Sequence, residues 1–430
     1  MSGVLGGEAA FWAAVAVFVV TYALIATERI HKTVAALLGG VAIILLGVVS
    51  QEQAFEAIDF NVIFLLAGMM LLAAIIRRTG VFGWLAVRAA RLAGGDGYRI
   101  LVVTSLITAV ASALLDNVTT VVLVGPISLF LAARLGLSPM PFIVSAILAS
   151  NIGGAATLIG DPPNILIGSA AGLDFVAFLV HMAPLSIVCL VLFLAAARWL
   201  FGSQLRIAPE LRDELLAMDE RQMISDPGLL RISIIVLSAT LIGFLLHGAL
   251  GYEPGTVALA GAAVLLLLSR IEPHEVLREV EWTTLFFFIG LFIMVGGIIE
   301  VGLIDFIADS IADVTGGELA STSILLLWLS AILSGIIDNI PYTATMIPVV
   351  DQLVANQGHA ADVLWWSLAI GADFGGNATV IAASANVTLA SLSEREGHPI
   401  TFRTFARYGI PVTLATMLIA TAYVWIRYLV

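Results

Sequence analysis

Long apolar runs, each closed by polar or charged residues, occupy most of the chain and fall into two series of the same order. The first lies near residues 9–27, 34–50, 60–77, 141–168 and 178–200, the second near 231–250, 255–269, 283–300, 363–391 and 408–428. Runs of this length predict membrane-spanning helices, since about 20 apolar residues cross a bilayer. Between the third and fourth run of each series lies a further apolar stretch, 100–133 and 321–352, broken at its centre by Asp116-Asn117 and by Asp338-Asn339. Each arm offers about 15 residues, short of the ~20 a full crossing needs. Two arms that dip into the membrane and meet at a polar tip fit better. Non-helical backbone at that depth survives only where protein or water covers it, which argues for a central cavity. The pattern predicts an all-α polytopic membrane protein of two five-span halves, each with a re-entrant hairpin and a broken helix.

The two series are one sequence repeated at a spacing of 222 residues. Asp116-Asn117 recurs as Asp338-Asn339, Pro126 as Pro348, Gly153-Gly154 as Gly375-Gly376, Ala156-Thr157 as Ala378-Thr379 and Asn164 as Asn386. Gly39, Gly68 and Gly80 match Gly261, Gly290 and Gly302 at the same spacing. Residues 1–201 form the first repeat (spans 1–5), 202–230 a linker and 231–430 the second repeat (spans 6–10). An odd number of spans per half inserts the second half upside down, and counting each hairpin as two spans leaves the parity odd. Inverted halves with matching polar breaks are characteristic of secondary transporters, whose site lies where the halves meet.

Of 430 residues, 60% are hydrophobic and 12% charged, and the net charge of −12 says little until the charges are placed by side. With the N-terminus outside, every basic residue but Arg427 of the 19 falls in a cytoplasmic loop. Glu52, Asp174, Glu253, Asp305, Asp309, Asp313, Glu318 and Asp362 fall on the other side. The positive-inside rule therefore puts both termini outside and residues 202–230 in the cytoplasm. The hairpin 100–133 then opens to the cytoplasm beside Arg99 and Arg134, and the hairpin 321–352 opens outward beside Glu318 and Asp351. The first run lacks a basic leader and aligns with 231–250, so it is read as a permanent helix. In the linker, Leu211, Leu215 and Met218 lie at helical spacing among charges, predicting an amphipathic cytoplasmic tether.

Candidate chemistry gathers at the breaks. A carboxylate deep in the membrane costs roughly 2.5–3.5 kcal/mol on insertion scales. Capping a half-helix would not require that cost, because Asn or Ser caps as well. Asp116, Asn117, Thr119, Asp338, Asn339 and Thr343 are therefore expected to bind or carry something, a sodium ion at the two tips being one reading. In the first broken span, Asn151, Gly153, Gly154, Thr157, Asp161 and Asn164 surround Pro162-Pro163, which stops the helix. Its counterpart holds Asp373, Gly375, Gly376, Asn377, Thr379 and Asn386. Asn151 is matched by Asp373 and Asp161 by Ala383, so each half keeps two acids near its break. Asp116, Asp338 and Asp373 are the candidate proton carriers. Gly160-Asp161-Pro162-Pro163 also suits a plain turn. His247, His274 and His359 read as solvated surface residues, His181 as a local polar contact, and Glu28-Arg29 as an interfacial anchor. Cys189, the single cysteine, reads as a packing residue. No phosphate loop, His/Cys cluster or intramembrane protease motif occurs, so neither an ATP-driven pump nor an enzyme is expected, and no cofactor. Nothing in the pattern calls for nucleic acid as a partner; the partners expected are the lipid bilayer and a small solute or ion.

At Leu115-Asp116-Asn117-Val118-Thr119-Thr120, at Asn151 through Asn164 with its Gly-Gly-x-Ala-Thr-x-x-Gly-x-Pro-Pro-Asn string, and at Asp338-Asn339-Ile340-Pro341, the chain resembles the ion transporter superfamily. The similarity is to its arsenite permease (ArsB) and P-protein-like branch, with NhaD sodium/proton antiporters and sodium–dicarboxylate symporters more distant. It covers essentially the whole chain. It implies a scaffold and a transport domain that holds both hairpins and both broken helices, moving as an elevator or by rocking. It also implies a bacterial-type inner membrane, a homodimer as in many relatives, and a cytoplasmic ATPase partner as in some arsenite pumps. Dicarboxylate carriers read Ser-Asn-Thr at their tips, whereas here only Asn117 and Asn339 carry over and each is preceded by an acid. Two extra carboxylates repel a dianion. They suit a cation, a proton or a neutral hydroxylated solute, so the expectation is efflux of arsenite or antimonite coupled to protons. Sodium/proton antiport at the same Asp-Asn sites is the alternative.

Overall fold

The computed structural model describes residues 7–27, 29–208, 210–213 and 219–430. The described residues form helices joined by short loops. The first half contains α1 (Gly7–Thr27), α2 (Lys32–Leu45), α3 (Phe60–Arg78), α4 (Val81–Leu92), α5 (Gly97–Leu114), α6 (Asn117–Arg134), α7 (Met140–Gly154), α8 (Pro162–Ala171), α9 (Phe175–His181) and α10 (Ala183–Phe201). The second contains α11 (Pro227–Leu250), α12 (Pro254–Ser269), α13 (Trp282–Glu300), α14 (Leu303–Thr315), α15 (Leu319–Ser334), α16 (Asn339–Gln357), α17 (Val363–Gly375), α18 (Ser384–Arg395) and α19 (Phe402–Val424). Eight of the described helices are long and apolar enough to cross a membrane, or up to ten if α8 with α9, bent by 116°, and α14 with α15, bent by 119°, each make one span.

The 222-residue spacing recurs in the helix boundaries, α3 and α13 being displaced by that interval at both ends. Packing follows the same pairing. α2 lies along α13 and α3 along α12, while α5 packs on α7 and α15 on α17. The broken-span helix α18 meets the hairpin arm α6 of the other half, and α8 meets α16. In the α2–α13 pair, Thr33 near one start donates to the Thr283 carbonyl near the other (2.7 Å). In the α3–α12 pair, Asn61 accepts from the Gly255 N–H (2.7 Å). Both pairs therefore run parallel, start beside start. Close approach explains the matched glycines: a Cβ on Gly68 would collide with Ala258 and one on Gly290 with the Ala36 backbone. Small residues are what allow such contact between membrane helices. Gly80 and Gly302 both take φ +78°, the left-handed conformation that starts α4 and α14.

Three features depart from the sequence reading. The hairpin arms α5, α6, α15 and α16 have 18, 18, 16 and 19 residues, longer than expected, because polar ends such as Asp96 and Arg134 extend them beyond the apolar core. The amphipathic helices α4 and α14 occupy segments read as loops. Phe82 and Ala86 are buried on the first and Ile304, Ala308 and Ile311 on the second, while Arg88 and Asp305, Asp309 are exposed. His247 is buried rather than solvated: its Nε2 accepts from the Phe175 N–H (3.3 Å) and its Nδ1 meets the Tyr252 carbonyl (2.9 Å). His274 is exposed, and His181 bonds the Tyr428 hydroxyl (2.6 Å). Cys189 is fully buried. Glu28, the His359 side chain and residues 214–218 of the linker, with Leu215 and Met218, lie outside the described residues. Beyond them, Glu220 docks the linker on α4 by accepting from Arg88 (2.8 Å).

Candidate substrate and ion site

Asp116 and Asp338 stand at the N-caps of the second hairpin arms, α6 and α16. Asp116 Oδ1 accepts from the Thr119 N–H (2.8 Å) and Asp338 Oδ1 from the Ile340 N–H (3.1 Å). Capping accounts for one oxygen of each. The asparagines that follow turn toward the molecular centre. Asn117 Nδ2 donates to Asp161 Oδ2 (2.7 Å) and Asn339 Nδ2 to Asp161 Oδ1 (3.3 Å). Both tips thus converge on one carboxylate. Asp161 heads α8, yet its side chain makes no cap bond to that helix. Its counterpart is Ala383, so a single acid serves both halves.

The broken helices meet at the same place. Asn151 Nδ2 donates to Asn377 Oδ1 (3.1 Å) and to Asn386 Oδ1 (2.9 Å), joining the two halves. Other motif residues hold the breaks themselves. Asn164 donates to the Thr157 carbonyl (3.0 Å), and Asn386 to those of Gly376 (2.7 Å) and Thr379 (2.9 Å). Thr157 donates to the Ala113 carbonyl (2.6 Å) and Thr379 to that of Gly335 (2.8 Å). A Cβ on Gly153 would strike Ala109, and one on Gly375 would strike Ala331. Gly154 packs on Gly160, and Gly376 beside the Asp373 carbonyl. These glycines and threonines seat each break on its hairpin arm, and the amides occupy break carbonyls that a cation would otherwise find.

Asp161 and Asp373 are both completely buried and close enough for their charges to interact. Both oxygens of Asp373 lack a hydrogen-bond partner, as do Asn117 Oδ1, Asn164 Oδ1 and the buried hydroxyls of Thr120 and Thr343. Asp373 lies against the Asn164 side chain, whose amide nitrogen is spent on backbone carbonyls. The Asp373 carboxyl is therefore left without a committed donor, and a proton or a cation on it is the simplest chemistry that satisfies it. Among the described residues no lysine, arginine or histidine pairs with either acid.

Lys32 is the residue that sequence reasoning missed. Taken as a loop cation, it instead starts α2, and its Nζ donates to Asp338 Oδ2 (2.8 Å) and to the Ser384 hydroxyl. Ser384 also donates to Asp338 Oδ2 (2.8 Å). Tyr22 of α1 donates to the Pro341 carbonyl (2.6 Å) and bonds Thr345. The available signal was a departure from the repeat: Lys32 is matched by Pro254 and Ser384 by Pro162. Lys32, Asp338, Ser384, Glu281, Thr284 and Thr388 line a cavity of about 570 Å³. Asp338 is on its wall, whereas Asp116, Asp161 and Asp373 are buried. Thr119 borders a smaller recess of about 40 Å³.

A paired tip, two convergent breaks and buried acids now stand beside known proteins. The pattern of the citrate transporter family matches residues 22–371. An uncharacterized transporter of Mycobacterium bovis is 45% identical over 423 residues, covering 97% of this chain and 98% of that one. The P protein of Sus scrofa is 34% identical over 496 aligned residues, covering 95% of this chain and 58% of its own length. Among solved structures, the YdaH transporter of Alcanivorax borkumensis superposes with a TM-score of 0.54 at 16% identity, covering 98% of both chains, which shows a common fold. The family and this structural neighbour are transporters, not enzymes. The chain is an integral membrane transporter, and it belongs to the citrate transporter family.

Proposed function

We propose that this protein exports a small neutral oxyacid, arsenite or antimonite, across a bacterial-type inner membrane in exchange for protons, with Asp161 and Asp373 as the coupling centre. The observation that carries the reading is Asp373: a fully buried carboxyl with both oxygens unpartnered, beside a second buried acid. A proton bound by either acid removes a buried charge, and its release on one side and uptake on the other would drive a neutral solute. The cargo class follows from charge. The polyanion named by the family, citrate, would face Asp161 and Asp373 without a basic partner. A neutral trihydroxy solute meets no such repulsion and can bond the amides and carboxyls. Parallel pairing of α2 with α13 and of α3 with α12 supports the inverted insertion of the halves, because α12 is the repeat partner of α2 yet runs with α3. Inverted halves around one site support alternating access.

A specific observation also favours sodium/proton antiport. The unpartnered oxygens of Asp373, Asn117 and Asn164 are the hard donors an alkali cation takes. Inside-out vesicles with an imposed proton gradient separate the two. Arsenite accumulation without a sodium response supports the exporter; sodium accumulation without arsenite makes the protein an antiporter; neither flux overturns both readings.

A further inference from the structure

Lys32 is held more closely than a solvated lysine. Its ammonium contacts Asp338 and Ser384, and it lies over the Phe287 ring, 5.1 Å from the centroid. The side chains of Lys32 and Asp338 are only 28% and 11% exposed. A carboxylate, a hydroxyl and an aromatic face together form a seat for a monovalent cation. At the pseudo-equivalent first tip, prolines replace both Lys32 and Ser384, so Asp116 has no such seat.

We infer that Lys32 is a tethered counter-cation, occupying on Asp338 the seat that a free alkali-metal ion would otherwise take. While the pair holds, Asp338 needs neither sodium nor a proton, and coupling is left to the acids at the centre. The ammonium reaches the tip from α2 of the other half, so it also ties the second hairpin to α2. Removing the ammonium leaves a carboxylate and a hydroxyl facing the cavity with space for a small ion. The inference rests on reading this region as the transport site, but its test measures ion binding and not flux, so the two fail separately.

The test is the melting temperature of the purified full-length protein in sodium chloride against choline chloride at equal ionic strength. Lys32→Ala is expected to gain a saturable sodium-dependent rise beyond that of the wild type, as ligand binding to the folded state requires. Lys32→Ala/Asp338→Asn is expected to lose it. A Lys32→Ala response equal to that of the wild type, or one that survives in the double variant, overturns the inference. If Lys32→Ala does not fold, Asp338→Asn and Lys32→Gln/Asp338→Asn decide. The counter-cation account requires the double variant to melt above Asp338→Asn, which strands a partly buried ammonium without its carboxylate; an equal or lower melting temperature overturns it.

Discussion

At the scale of single residues, the two central acids have different surroundings. Asp161 accepts from an asparagine of each hairpin, so Asp161→Asn would set an amide donor against Asn117 or Asn339. Leaving one buried donor unsatisfied costs about 1–3 kcal/mol, and the variant should melt lower as well as transport less. Asp373 accepts nothing. Asp373→Asn resembles its protonated form and should keep or raise the melting temperature while abolishing coupled transport. A variant that melts normally and transports fully would remove Asp373 from the mechanism. The acids themselves were legible in the sequence, because an aspartate amid apolar residues needs a reason. Their partners were less so. A lone lysine between two spans reads as a loop cation, and Lys32 finds Asp338 across 306 residues of chain. Asp161 was ambiguous for a local reason: Gly-Asp-Pro-Pro is also turn chemistry, and only the fold aims both tip asparagines at it.

At the scale of elements, the breaks depend on glycines pressed against hairpin arms. Gly153→Ala or Gly375→Ala places a methyl group into the backbone of Ala109 or Ala331. Overpacking of this kind costs about 1–3 kcal/mol. Each variant should show a lower melting temperature, whereas Gly172→Ala, where nothing lies within 4 Å, should pay only the strain of its left-handed φ. The tips and breaks were readable from polar interruptions in apolar runs. The amphipathic helices α4 and α14 were not. Their charges, Arg88 and Arg91 in one and Asp305, Asp309 and Asp313 in the other, resemble loop charges when read for span length instead of for 3.6-residue periodicity. The arms were underestimated because helices continue past the apolar core wherever capping residues such as Asp96 allow.

At the scale of the whole molecule, helices from the two repeats pack on one another, α2 on α13 and α3 on α12. A reporter fused within 202–230 should give a cytoplasmic signal, and a periplasmic one would contradict the charge-derived orientation. Cysteines at Thr33 and Thr283 should cross-link readily, being at neighbouring helix starts, while cysteines at Thr33 and Glu300 should not; the reverse would exclude parallel pairing of α2 and α13. The halves were legible at 222-residue spacing, but the helix pairing between them was not, because it depends on which small-residue faces meet.

The most direct test of the central claim is proton movement in proteoliposomes carrying a trapped pH-sensitive dye. Adding arsenite to the wild type is predicted to drive a proton flux that Asp373→Asn lacks, with Lys32 and Asp338 intact in both. Equal arsenite-driven proton flux in the wild type and in Asp373→Asn would contradict the account.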